Sequence, residues 1–289
     1  MAAVVVIIAG YAGAGAFLPS GDSFPEQSGP AQKNNSVSAQ GDPNSQMNPP
    51  LSHADSIERM AIGEKYYSNI CSVCHGDEGK GDGPVAKFLK IKPRDFTRAQ
   101  FKFRSTASGQ LPLDEDLYGS ITGGMPGTGM PPFAQMDPKI VRDLIMYVKS
   151  LSPRFSDPTE YPLDTVKIGT PVPYTTESVR RGRAVYVKAK CWTCHGMQGK
   201  GDGPAVDNQF DDKGNKLYTP DLTNAWSKKV GFTPELVYKI FSTGLNGTTM
   251  PSYRDGLTEN ERWDLANYVI ALSERRKPYD GLDIPQDSQ

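Results

Sequence analysis

Every cysteine of the chain falls in one of two copies of a five-residue pattern, Cys71-Ser-Val-Cys74-His75 and Cys191-Trp-Thr-Cys194-His195. On a helical turn, residues three apart share a face, so the two thiols of each pair can reach the two vinyl groups of one porphyrin. The histidine that follows then sits under the iron. One such copy could be chance, a zinc half-site or a thioredoxin-like dithiol. Two copies that use every cysteine favour haem attachment, of which Cys-x-x-Cys-His is the signature. A disulfide framework gives no reason for a histidine after each pair. The cofactors expected are two covalently bound haem c groups.

The elements that position these residues are also duplicated. His75-Gly-Asp-Glu-Gly-Lys-Gly-Asp-Gly-Pro84 matches His195-Gly-Met-Gln-Gly-Lys-Gly-Asp-Gly-Pro204 at an offset of 120 residues. Gly124-Met-Pro-Gly-Thr-Gly-Met130-Pro131 aligns with Gly244-Leu-Asn-Gly-Thr-Thr-Met250-Pro251 at the same offset, which puts 55 residues between each histidine and its methionine. A final stretch, Asp143-Leu144 to Tyr147-Val148 against Asp264-Leu265 to Tyr268-Val269, repeats one residue out of step. A domain of about 100 residues has been duplicated.

Each copy reads as a small helical unit, so the fold class expected is all-α. Ile57, Met60, Ala61 and Tyr67 precede the first motif at helical spacings, as Val179, Ala184, Val185 and Tyr186 precede the second. Asp137-Pro138 reads as an N-cap with proline at the first helical position, and Thr258-Glu-Asn-Glu261 as a capping box. The helices that follow carry the stripes Ile140, Leu144, Tyr147, Val148, Leu151 and Leu265, Tyr268, Val269, Leu272. Gly63 with Tyr67, and Gly182 with Tyr186, suit a close helix crossing in which glycine admits the partner backbone.

Composition bounds the rest. Across 289 residues, 32 Lys+Arg against 33 Asp+Glu leave a net charge of −1, without the basic footprint of a nucleic-acid binder. A hydrophobic fraction of 37% excludes wholesale disorder and a polytopic membrane protein. Residues 1–18 are an apolar run that reads as a membrane anchor or a signal segment. The Pro-, Gly-, Ser- and Asn-rich linker 19–52 after it favours the anchor, because a tether needs something anchored. The domains expected are 53–152 and 174–277, joined by a proline-stiffened linker at 153–173 and followed by a tail at 278–289. Seven basic residues from Lys87 to Arg104 face one acid, Asp95. They read as a docking face for an acidic partner, or as a solvated loop with Arg94 or a neighbour neutralising haem propionates.

With these motifs together, both halves resemble class I cytochrome c domains. The whole resembles the di-haem cytochromes c of bacterial respiratory chains over roughly residues 53 to 275. The resemblance implies two tandem helical bundles, each wrapped around a haem, with His75 and His195 as proximal iron ligands and Met130 and Met250 as distal ones. It also implies that the carbonyls of Pro84 and Pro204 accept a hydrogen bond from the proximal imidazoles. The inventory agrees on the distal side: three histidines cannot make two bis-histidine haems. Met125 rivals Met130, but the second repeat has leucine at its place. Met60, Met136 and Met146 sit among apolar helix residues, and Met197 lies too close to His195 to reach the far face.

Histidine with a thioether stabilises ferrous iron and leaves no open position for substrate. The function expected is single-electron transfer without catalysis, between a quinol-side or dehydrogenase donor and a terminal oxidase or other acceptor. The chain would act as a tethered carrier or as the cytochrome subunit of a membrane oxidoreductase. It would be exported to the periplasmic side and held there through the N-terminal helix. The alternative from another class is a di-haem peroxidase, which keeps one haem open to peroxide.

Overall fold

Two glycines decide how the helices of each repeat meet. In the computed structural model, which describes residues 52–162, 164–224 and 233–274, the first repeat comprises α1 (His53–Tyr66), α2 (Ser72–His75), α3 (Asp114–Gly123) and α4 (Pro138–Ser150). The second comprises α5 (Thr176–Lys188), α6 (Trp192–His195), α7 (Pro234–Thr243) and α8 (Glu259–Glu274). A Cβ on Gly63 of α1 would lie 2.2 Å from the carbonyl oxygen of Asp143 in α4, and one on Gly182 of α5 would lie 1.9 Å from that of Asp264 in α8. Only glycine lets the axes approach this far. The crossings are closed by Arg59 on Asp143 at 2.5 Å and by Arg181 on Asp264 through two bonds of 2.7 and 2.8 Å. Tyr67 packs on Tyr147 with centroids 5.0 Å apart, and Tyr186 on Tyr268 at 5.3 Å.

The stripes on α4 and α8 form the two cores, with Val141, Leu144 and Val148 in one and Leu265, Val269 and Leu272 in the other. Asp137 caps α4 by accepting from the Lys139 amide, and Thr258 and Glu261 exchange capping bonds at α8. The N-terminal stripes are narrower than the spacing suggested. Ile57 is 58% exposed, and Ala61 and Ala184 also face solvent. The glycine crossing rather than an apolar seam fixes α1, whose buried residue is Gly63, whereas α5 also buries Val179, Val185 and Tyr186 of the expected stripe. Among the described residues there are no strands, only isolated bridges between Thr106 and Thr165 and between Phe210 and Lys216.

The two repeats pack into one compact unit. Arg104 of the first repeat is 1% exposed and donates to the carbonyls of Thr243 at 2.6 Å and Gly244 at 3.3 Å, at the C-terminal end of α7. There the helix leaves unpaired carbonyls and partial negative charge, both of which suit a guanidinium. Arg98 pairs with Asp212 at 2.7 Å, Lys213 pairs with Asp95, and Lys90 lies 4.2 Å from the Tyr218 ring centroid. Much of the basic run that read as a face for an external partner is therefore spent on the neighbouring repeat.

The 153–173 segment is likewise not a free extended spacer. It forms short turns at Pro153–Ser156 and Pro158–Glu160, and the Val166 amide donates to Ser105 at 2.7 Å. The hydrophobic run 1–18, nearly all of the 19–52 linker and the 278–289 tail lie outside the described residues. No helix among the described residues is long and apolar enough to cross a membrane.

Candidate cofactor sites

The Cys-x-x-Cys-His turns start from different lead-ins that converge on one geometry. In the first repeat a widened turn at Tyr67–Cys71 carries α1 into α2. The second repeat has one more residue between tyrosine and cysteine and absorbs it at Lys190, whose φ is +57°. In both, the tyrosine hydroxyl pins the residue after the histidine: Tyr67 donates to the Gly76 carbonyl at 2.7 Å and Tyr186 to that of Gly196 at 2.6 Å. Burial holds both phenols well above the ordinary tyrosine range.

All four cysteines are unbridged. Burial pushes the thiols of Cys71 and Cys191 up to about 11. They are protonated at neutral pH, which slows oxidation to a disulfide and leaves the S–H that thioether attachment consumes. Tyr253 stands beside Cys191, and burial pushes its phenol up to about 12.

The His75 ring is stacked on one face and oriented by a hydrogen bond. Its Nδ1 donates to the carbonyl of Arg94 at 3.0 Å, and Phe96 stacks on it with centroids 4.3 Å apart. A carbonyl can only accept, so the proton sits on Nδ1 and Nε2 is free for a metal. Burial lowers the pKa of His75 and of His195 and keeps both imidazoles neutral, the form that ligates. At His195 the facing carbonyl is that of Pro220. The His195 Nδ1 does not reach hydrogen-bonding geometry with it and is a buried, unpartnered nitrogen.

Arg94 and Pro220 are equivalent positions. Two residues after each, Phe96 and Leu222 donate to Gly79 and Gly199, both at 2.7 Å.

Pro84 and Pro204 do not play the part expected of them. Both are exposed, and the carbonyl on the His75 imidazole comes from Arg94. The Gly-Pro segments instead brace the backs of the attachment turns. The amides of Gly83 and Val85 donate to Cys74 and Val73, as those of Gly203 and Ala205 donate to Cys194 and Thr193. They satisfy carbonyls that the short helices α2 and α6 leave unpaired.

The methionine loops superpose bond for bond. Met125 and Leu245 donate their amides to Met130 and Met250, both at 3.1 Å. Thr128 and Thr248 return their hydroxyls to Met125 and Leu245 at 2.6 and 2.7 Å, and each accepts from the next methionine amide at 3.1 Å. Met130 thus occupies the place of Met250, and Met125 that of Leu245.

In the second repeat a cavity of about 760 Å³ is lined by Cys191, Cys194, His195, Met250 and Tyr253, and also by Arg94 and Lys102 of the first repeat. That volume lies within the ~300–1,000 Å³ typical of cofactor pockets. Two unbridged thiols, a neutral buried imidazole with an orphaned Nδ1, and a methionine on one apolar cavity form a donor set that fits haem c. In the first repeat the equivalent residues are Cys71, Cys74, His75 and Met130.

Sequence reasoning missed Arg94 and Pro220 as backbone acceptors. The matching Asp95-Phe-Thr97 and Asp221-Leu-Thr223 segments were the available signal. They stand at different distances from their histidines because the second repeat inserts a small loop carrying Asp211, Asp212 and Lys213.

Comparison with known proteins bears on both sites. The profile of the family described as Cytochrome c matches residues 60–152 and again 179–273. A Cbb3-type cytochrome c oxidase subunit CcoP from Rubrivivax gelatinosus is 27% identical over 146 residues, which cover 50% of this chain and 36% of that protein. The match thus spans little more than a third of that relative. A chain in the structure of the Kuenenia stuttgartiensis reducing HAO-like protein complex is 39% identical, with a TM-score of 0.69, over 73% of this chain and 95% of that one.

Proposed function

Because the chain belongs to the cytochrome c family and carries the family's domain twice, we propose that it is a di-haem electron-transfer protein working within a larger redox assembly. The observation that carries this reading is the equivalence of the two sites. Each repeat presents two free thiols, a neutral imidazole withdrawn from solvent, with Nε2 left available at His75 by the Nδ1 bond, and a methionine on a loop of the same hydrogen-bond pattern. Haem c supplies a one-electron store at each site.

The chain's own residues do the remaining work. Cys71 and Cys74, or Cys191 and Cys194, would anchor the group, His75 and His195 would ligate it, and Met130 and Met250 would complete the ligand set. The carbonyl of Arg94 accepts from the His75 imidazole and raises the basicity of that ring, and the carbonyl of Pro220 faces the His195 ring without a formed bond. A closed, rigid set exchanges electrons with little rearrangement and gives no room to a substrate.

Both relatives belong, by their names, to an oxidase or a protein complex. That supports a role as a cytochrome subunit or docked carrier that takes electrons from one protein and passes them to another. The same kinship supports placement on the periplasmic side of a membrane, with the apolar run 1–18 as the tether.

The test is expression with a cytochrome c maturation system, followed by haem counting and optical and EPR spectroscopy of the oxidised protein. Two low-spin haems per chain, with the weak far-red band of methionine-ligated ferric iron, are expected. One high-spin haem that binds added ligands would overturn the carrier reading in favour of a peroxidase.

A further inference from the structure

Two cations of the first repeat line the second repeat's cavity without a salt bridge of their own, although Asp211, Asp212 and Asp95 act on Arg94, and Asp211 on Lys102, through space. Arg94 and Lys102 line it, and neither side chain has a hydrogen bond or ion pair among the described residues. The nearby carboxylates are engaged elsewhere: Asp95 with Lys213, Asp212 with Arg98, and Asp211 with Asn215 and the backbone of its own loop. The Arg94 guanidinium lies over the methionine loop, where a Cβ on Gly247 would come within 2.8 Å of its Nη1. Gly247 is three residues before Met250. A cavity lined by two cations whose neighbouring carboxylates are bonded elsewhere, beside Cys191, Cys194 and His195, favours anionic groups on whatever fills it. Burial beside Arg94 pushes the Lys102 ammonium down to about 8, a penalty that an anion would relieve.

Resting on the haem reading above, we infer that Arg94 and Lys102 of the first repeat form the anchoring site for the propionate carboxylates of the second haem. Arg94 then serves both redox centres at once. Its backbone oxygen accepts from His75 of the first, and its side chain neutralises the second. The basic run would have a carboxylate partner, as its charge suggested, but that partner would be a cofactor held by the same chain.

The experiment is an optical redox titration of the holoprotein and its Arg94→Gln, Arg94→Lys and Lys102→Gln variants, with Lys87→Gln as an exposed control from the same run. The two waves are assigned by Met250→Ala, which changes a ligand of the second haem only. Arg94→Gln keeps the backbone carbonyl and removes the charge. The oxidised form of the second haem should gain on the order of tenfold, a fall of about 59 mV for one electron, with the first wave unmoved. Arg94→Lys should restore most of the shift, which a merely structural role would not, and Lys102→Gln should shift the same wave in the same direction.

A change confined to the first wave, or no change in Arg94→Gln and Lys102→Gln beyond the control, overturns the inference and leaves the electron-transfer reading intact. Absence of covalent haem from the wild-type chain would overturn both.

Discussion

Replacing Gly182 by alanine and Gly119 by alanine are the same chemical change with opposite expected signs. Both glycines are helical, so each substitution gains up to about 1 kcal/mol of helix propensity. Gly119 in α3 has nothing within 4 Å of the added methyl, and the gain should be realised. At Gly182 the methyl would meet the Asp264 carbonyl oxygen at 1.9 Å and the Tyr268 Cβ at 2.8 Å, both parts of α8 that cannot rotate away. To reach the 3.4 Å at which ordinary contact begins, α8 must retreat by about 1.5 Å. That opens a core containing the fully buried Leu265 and Leu272 and stretches both Arg181–Asp264 bonds.

Overpacking costs about 1–3 kcal/mol, and the opened contacts take the total to the top of that range, about 3 kcal/mol net of propensity. For a unit of this size that is a melting temperature lower by roughly 6–12 °C, against a rise of about 1–4 °C for Gly119→Ala. Thermal denaturation followed by circular dichroism measures both. Because Tyr186 ties α5 to Gly196 beside His195, Gly182→Ala should also broaden the second haem's spectrum and leave the first unchanged. Equal melting shifts for the two variants would refute the close-crossing argument.

Three further outcomes are expected. Arg104→Met strands the carbonyls of Thr243 and Gly244 and relieves the burial that pushes the guanidinium down to about 10. The net loss should be about 2 kcal/mol, with calorimetry resolving separate transitions for repeats that melt together in the wild type. Met125→Leu reproduces the second repeat's Leu245 and should keep both far-red bands, whereas Met130→Leu should lose one.

At the start of α8, Lys188 and the Thr258 cap hold the Glu261 carboxyl down to about 2. A carboxylate with a lowered pKa contributes stability above its unfolded value near 4.5 and loses it as pH falls through the folded one. Glu261→Gln should therefore cost about 1 kcal/mol in denaturant titrations at pH 7, with the deficit closing between about pH 4.5 and pH 2.

Local chemistry was legible in the sequence, and contacts across the duplication were not. The attachment motifs, the Asp137 and Thr258 caps and the glycine crossings are written in residues a few positions apart, where helical spacing suffices. The equivalence of Met130 with Met250 follows from a constant offset and reappears as an identical bond pattern. The acceptor for His75 was expected at Pro84 from the resemblance alone, because a backbone oxygen carries no residue code to read. Arg104 looked like one member of a surface charge run, since its partners lie in the other repeat, 139 and 140 residues away. Ile57 fitted a helical stripe because periodicity counts apolar residues whether or not anything covers them.

The oxygen facing each imidazole has a consequence for how such a protein diverges. It belongs to the main chain, so no side-chain substitution removes it, and the tuning of the iron's nearest ligand is shielded from point mutation. One copy carries arginine at that position and the other proline. Because the acceptor is the main-chain oxygen, the side chain at that position is left available for a different task in each copy.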